Sequence, residues 1–272
     1  MSIPHQAITL LGHSGIGKTT LSHLLQQAGW YHYSGDYRIA TRYLNEAISD
    51  WLAAIAATVP IFAALLARDA LQIGGKVRIE QLAVLSAYIG KIGRQGLPYQ
   101  EFCARQQAFA VAEKQAMYDI ERFMPLARAR HQATWFINDA GGSLGEYAAD
   151  GALMNFIAER TLLVYLDADE DLQQELEARA AKYPKPICYH PDFLAQMVEQ
   201  YGAKTGIRHA DDFDSDDFLR FVGPQLLHRR RENYRALAAQ YGVLLPVKAV
   251  WACRNADEFL ALLSRAYQEQ RG

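Results

Sequence analysis

Short apolar runs alternate with helical periodicities along the chain. Ala7-Ile8-Thr9-Leu10-Leu11 runs into a glycine-rich stretch, after which Leu21, Leu24, Leu25 and Ala28 recur at helical spacing. Strand, loop and helix therefore follow one another at the start. Trp30-Tyr31-His32-Tyr33 predicts a second strand, ended by Ser34-Gly35, with Asp36 just beyond. From about 45 to 130 the pattern is helical, with breaks at Gly74-Gly75 and from Gly90 to Pro98. That length exceeds a simple crossover. It predicts an inserted helical subdomain (45–130) within a core made of 1–44 and 131–272. Trp135-Phe136-Ile137 and Leu162 to Leu166 are further strand candidates, ending at Asn138-Asp139 and at Asp167. Both place an acid at the strand edge where open parallel sheets bind ligands. A helix is predicted over 169–182, then a loop punctuated by Pro184, Pro186 and Pro191, then a helix over Leu226 to Gln240. Val243 to Pro246 is the last strand, with Pro246 confined to its end or to a sheet edge. Asn255 and Glu258 have capping-box spacing and open a final helix through about Tyr267.

Composition narrows the class. Half of the 272 residues are apolar, and 28 Lys and Arg stand against 30 Asp and Glu for a formal charge of -2. No global field draws such a chain to nucleic acid or to an anionic membrane. Cys103, Cys188 and Cys253 are far apart and fit no zinc spacing, so a reducing, cytoplasmic setting is expected. The start lacks a basic segment, and the run from Ile8 to Leu11 is too short for a signal peptide. Trp51 to Ala67, WLAAIAATVPIFAALLA, carries no charge. It falls short of the roughly 20 residues needed to span hydrocarbon and contains Pro60. The expectation is a buried or dimer-forming helix, which leaves a homodimer open and a membrane partner excluded.

The chemistry concentrates in Gly12-His13-Ser14-Gly15-Ile16-Gly17-Lys18-Thr19, which fits G-x-x-x-x-G-K-[ST] between a strand and an amphipathic helix. Glycines let the backbone curl around an anion with successive N–H groups pointing inward, and the free amides of the following helix add donors. Gly12 through Thr19, with Thr20, are the expected nucleotide-binding residues. Lys18 answers the β- and γ-phosphates of ATP, and the Thr19 hydroxyl is a ligand for Mg2+. The motif specifies a nucleoside triphosphate without saying where the γ-phosphate goes.

At these residues the sequence resembles the P-loop kinases of small metabolites and nucleotides, with shikimate and gluconate kinases nearest in layout. The match covers residues 7–38 and 134–246 and leaves the helical middle out. The resemblance implies a three-layer α/β P-loop NTPase fold, with a mostly parallel sheet and a helical insertion. It also implies that Asp36, eighteen residues after Lys18, holds the acceptor hydroxyls. The family's second acid is replaced here by Ser34. Asp139-Ala140-Gly141-Gly142-Ser143 is similar to the family's acceptor-binding turn. Arg230, Tyr234 and Ala238 keep the family's spacing for an arginine that contacts acceptor or phosphate, while the family's lid arginine has no clear counterpart, Arg208 being the candidate between Tyr183 and Phe221.

Two acids compete for the magnesium side. Asp139 is preferred because the glycines after it allow close approach to a ligand, and Asp167 is the alternative. Asp36 serves as hydroxyl anchor, as general base or as a helix cap. Arg38 and Arg42 offer a grip on an anionic acceptor, and Tyr33 and Tyr37 offer walls for a ring. Arg229-Arg230-Arg231 with Arg235 is the densest positive patch; Arg231 and Arg235 share a helix face, and one of Arg230 or Arg231 is expected to close over the phosphates. The expected activity is therefore ATP-dependent phosphoryl transfer to a small-molecule acceptor, under a lid spanning about 169–235. The alternative is an ATPase that switches conformation with a protein or nucleic-acid partner; nucleic acid is the weaker of the two because the stacking aromatics such a surface needs are absent.

Overall fold

In the computed structural model, residues 3–74, 77–79, 82–183, 185–186 and 188–271 are described. The predicted features at Met1-Ser2, Gly75 and Pro184 lie outside the described residues. The first apolar run forms β1 (Ala7–Leu11), followed by α1 (Lys18–Gln27), β2 (Tyr31–Ser34) and α2 (Gly35–Arg38). A π-helical turn, Ile39–Tyr43, leads to α3 (Asn45–Ala56), α4 (Pro60–Leu66), α5 (Ala83–Ile89), α6 (Tyr99–Tyr118) and α7 (Ile120–His131). The chain then forms β3 (Phe136–Asp139), α8 (Gly151–Ala158), β4 (Leu162–Asp167), α9 (Glu170–Lys182) and α10 (Pro191–Thr205). It ends with α11 (Ser215–Tyr241), β5 (Gly242–Pro246), α12 (Val247–Ala252) and α13 (Ala256–Arg271).

All five strands pair in parallel, in the order β2-β3-β1-β4-β5. The expected α/β class with a parallel sheet between helical layers is therefore correct. Alternation along the strands explains the layers, because successive side chains face opposite sides of a sheet. Ala7, Leu11, Leu163 and Tyr165 join one packing cluster with residues of α6, α7, α8 and the C-terminal part of α11. Ile8, Leu10, Val164 and Leu166 join another with Leu21 and Leu25 of α1 and Phe259 and Leu263 of α13. A third cluster, away from the sheet, packs α10 against the N-terminal part of α11 with Ile92 and Phe102. Pro246 ends β5, which is an edge strand.

Three expectations need correction. The uncharged stretch from Trp51 to Ala67 is neither one helix nor buried. Pro60 starts a new helix, Ile48 is the buried residue of α3, α4 has none, and Ile61 is 62% exposed. Among the described residues no helix is long and apolar enough to cross a membrane. The loop predicted around Pro184 to Pro191 stops at His190: Pro191 occupies the first turn of α10, where its missing N–H costs nothing. The helix predicted from Leu226 starts at Ser215, where the Asp214 carboxylate accepts from the amides of Asp216 and Asp217, and it runs through Pro224.

The capping box before α13 is formed: Asn255 Oδ1 accepts from Glu258 N (2.9 Å) and Glu258 Oε2 from Arg254 N (2.8 Å). Phe259, one turn on, is fully buried with its ring 6.3 Å from that of Trp30. Phe259→Ala is expected to cost about 3–5 kcal/mol, read as a lower urea midpoint with an unchanged slope.

Candidate functional site

The glycine-rich loop joins β1 to α1 at the C-terminal edge of the sheet. Gly15 and Gly17 have φ of +79° and +100°, which side-chain-bearing residues rarely adopt. Both are also crowded: a β-carbon would lie 2.7 Å from the Arg179 guanidinium at Gly15 and 2.8 Å from the Trp251 indole nitrogen at Gly17. Arg179 donates to Ser14 O (3.4 Å), and Trp251 Nε1 donates to Ile16 O (3.0 Å). The N-terminus of α1 has no side-chain cap and no acid in its first turn, so no residue of the helix itself neutralises that positive end. Lys18 Nζ donates to Gly12 O (2.8 Å) and His13 O (3.2 Å). Burial holds the Lys18 pKa below the ordinary lysine value, with Asp139 and Asp36 acting in the opposite direction. The His13 ring is packed edge-on to Tyr234 (5.8 Å between centroids), and its pKa falls to about 3, through burial first and then the charges of Arg230 and Lys18.

Thr19 Oγ1 donates to Asp139 Oδ2 at 2.9 Å, and His32 Nε2 lies 3.4 Å from the same oxygen. Asp36, on α2, completes a cleft of about 240 Å³ lined also by Lys18, Thr19, Asp139, Ile79 and Leu82. Burial, then the nearby Asp139, raises the Asp36 pKa to about 6 against the pull of Lys18 and Arg230. Lys18, Thr19, Asp36 and Asp139 are thus brought together. Asp167 is not among them: it pairs with Arg235 (2.8 Å) and lies 3.6 Å from Arg231.

Arg230 is buried, with Nε donating to Glu146 Oε1 (2.7 Å) and a terminal nitrogen to Cys188 O (2.6 Å). Its other terminal nitrogen comes within 3.9 Å of where a β-carbon at Gly142 would sit, so it borders the turn after β3. Tyr234, one turn on, donates to Gly142 O (2.5 Å). Arg231 is committed elsewhere, to Glu170 Oε1 (2.8 Å) and Ala168 O (2.9 Å) at the end of β4. Arg38 is bound to Asp119 (2.6 Å) and lies over the Phe123 ring, Tyr33 is a core residue donating to Ala116 O, and Arg208 lines a groove on α10. None of these three lines the cleft.

Sequence reasoning missed Glu113, Glu146, Arg179 and Trp251. Glu113 is fully buried on α6, and Ser143 Oγ lies 2.8 and 2.7 Å from its two oxygens. A β-carbon at Gly141 would sit 2.5 Å from Asp36 Oδ1 and 2.9 Å from Glu113 Oε1, so the two carboxyls are neighbours across a glycine that has no room for a side chain. Burial raises the Glu113 pKa to about 8, with Asp36 adding to the rise and Ser143 opposing it. The signal was in the helix phase: Phe102, Gln106, Phe109, Glu113 and Met117 lie on one stripe of α6, where an acid is out of place.

No protein-family model matches the chain. Over 112 residues it is 33% identical to an asparagine–tRNA ligase of Sorangium cellulosum (strain So ce56), an alignment covering 36% of this chain and 25% of the ligase. The chain therefore spans about a quarter of that relative's length. Among solved structures it is similar to a shikimate kinase from Bacteroides thetaiotaomicron, with a TM-score of 0.41, 15% identity and 97% of each chain covered.

A carboxyl whose pKa rises on folding loses stability as pH climbs, because the unfolded state releases its proton first. For Glu113 the window runs from its ordinary 4.5 to about 8. Glu113→Gln keeps a partner for Ser143 and removes that slope. Relative to wild type, the variant is expected to match near pH 4.5 and to gain on the order of a few kcal/mol by pH 8, measured by urea unfolding at both values.

Proposed function

We propose that the chain transfers the γ-phosphoryl group of ATP to a hydroxyl of a small molecule, with magnesium. The observation that carries this reading is the curled loop: positive φ at Gly15 and Gly17, an uncapped helix N-terminus, and a buried lysine beside a Thr19–Asp139 pair. The loop amides and Lys18 bind and offset phosphate charge, which is the main task in phosphoryl transfer. Among the described residues no group of three His, Cys, Asp or Glu side chains forms a metal site. Thr19 and Asp139 are what the chain offers a magnesium ion, a short oxygen set suited to a cation that keeps waters and phosphate ligands. Magnesium, when bound, would supply charge compensation on the phosphates.

Asp36 orients the acceptor hydroxyl and accepts its proton as the oxygen–phosphorus bond forms. Its pKa, raised to about 6, keeps it ionised at neutral pH while making it a better base than an ordinary aspartate. Arg230, held by Glu146 and Cys188 O, presents a fixed positive charge beside the Gly142 turn, and we favour it over Arg231 as the arginine of the site. Arg179, over the loop apex, is a further cation available to phosphate oxygens. We place the lid over about 169–235, in α9, α10 and most of α11, and acceptor selectivity in the helical insertion, which reaches the cleft through Ile79 and Leu82.

Lys18→Ala is expected to lower acceptor-stimulated ADP formation at least about 100-fold, followed by a coupled ADP assay. Rapid Lys18-dependent hydrolysis that no small hydroxyl compound stimulates would instead identify a switching ATPase. ATP binding is expected to change tryptophan fluorescence through Trp251, which stands beside Gly17. The change should vanish in Trp251→Phe and persist in Trp30→Phe.

A further inference from the structure

The charge of the acceptor is written into the cleft, and the inference drawn from it rests on the kinase reading above. Among the described residues lining the cleft, the charged ones are Lys18, Asp36 and Asp139. Lys18 and Asp139 belong to the phosphate and magnesium end. That leaves Asp36, with no hydrogen bond from the described residues to its carboxylate, for the acceptor end. Behind it, across Gly141, stands a second carboxyl, Glu113.

Several cations of the neighbourhood are engaged within the protein. Arg230 is neutralised by Glu146 at 2.7 Å, Arg38 by Asp119 at 2.6 Å and Lys114 by Asp150 at 2.7 Å, and Arg179 sits at the loop apex against Ser14 O. An acceptor bearing a carboxylate or phosphate would thus bring its charge against Asp36, with Lys18 the one cation among the described residues lining the cleft. Burying an unpaired charge beside one of like sign is costly. An ammonium meets the opposite situation: it supplies donors to Asp36 and compensates its charge. The other wall of the cleft, Ile79 and Leu82, is apolar and suits a short carbon skeleton.

We propose that the acceptor is a small amino alcohol, its protonated amine held by Asp36 and its hydroxyl turned toward Lys18 and the phosphates. In the transfer the hydroxyl oxygen forms the new bond to phosphorus, the bond from the γ-phosphorus to the bridging oxygen of ATP breaks, and ADP leaves. The hydroxyl proton passes to the other oxygen of Asp36 and then to solvent. Asp36 therefore touches the substrate, and Glu113 stands behind it across Gly141.

The test uses the full chain with magnesium-ATP and three sets of probes matched in skeleton and differing in charge: ethanolamine, 2-amino-1,3-propanediol and glucosamine; ethylene glycol, glycerol and glucose; glycolate, glycerate and glucuronate. Lys18-dependent ADP formation is the readout. At least one amine is expected to stimulate it tenfold or more above its uncharged partner, with no stimulation by the carboxylates. Asp36→Asn should abolish the stimulation. The idea is overturned if carboxylates stimulate more than amines, if amines and uncharged partners stimulate equally, or if ATP binds and no amine stimulates. ATP binding is measured separately by Trp251 fluorescence: its absence would count against the nucleotide site itself, and its presence isolates the question of acceptor charge.

Discussion

Lys18 is 8% exposed, and its ammonium is held by the carbonyl oxygens of Gly12 and His13 at the C-terminal edge of the sheet. Removing such a charge from water is costly, and the surroundings are arranged to offset it. The two carbonyls take two of its three donors. Asp139 and Asp36 supply the opposing field, and they do so because the parallel register sets Asp139 beside Leu10 of β1 and beside Ser34 of β2, just before Asp36. The acids then strain against each other. Asp139 is tied to Thr19, Asp36 has its proton affinity raised, and Glu113 behind them keeps its own proton near neutrality. Arg230, fixed by Glu146, limits the accumulation of negative charge. Each ionised group in the cleft is tolerable because of the next, and removing one changes the state of the others.

The parts of this arrangement that are local in sequence were readable from it. A strand, a glycine loop and a helix in succession are each specified by residues within a few positions, so the strands, the loop and the acid ending β3 were visible in the pattern. Interactions that join distant segments were not. Glu113 reaches Asp36 because α6 packs on α2 and the turn after it, a contact that no spacing in the chain encodes. Trp251 and Arg179 meet the loop from helices that follow β5 and β4. Arg231 seemed equivalent to Arg230 because adjacent residues on a helix differ by about 100° in direction, and only tertiary packing decides which direction holds the cleft. Pro191 was misleading for a different reason: at the first turn of a helix it marks a beginning, and the same residue in an open segment marks a loop.

The uncharged stretch from Trp51 to Ala67 illustrates how composition alone misleads. Seventeen residues without charge suggest one buried rod. Pro60 lacks the N–H that would continue the first helix, so the segment splits, and the short second helix lies on the outside of the fold with no buried residue. The side chains that enter the core come instead from the neighbouring π-helical turn and from α6, whose apolar residues are interrupted by polar ones but fall on one face.

Helix α6 has a mechanical consequence. At one end Phe102 is embedded in the third cluster, with α10 and the start of α11; further along, Glu113 stands behind Asp36. Eleven residues of helix separate them, about 16 Å of stiff rod. Packed interiors transmit displacement instead of absorbing it. A tilt of the outer bundle by a few degrees would therefore act as a lever on the buried carboxyl, linking the position of a distant helical layer to the electrostatic balance of the pocket floor.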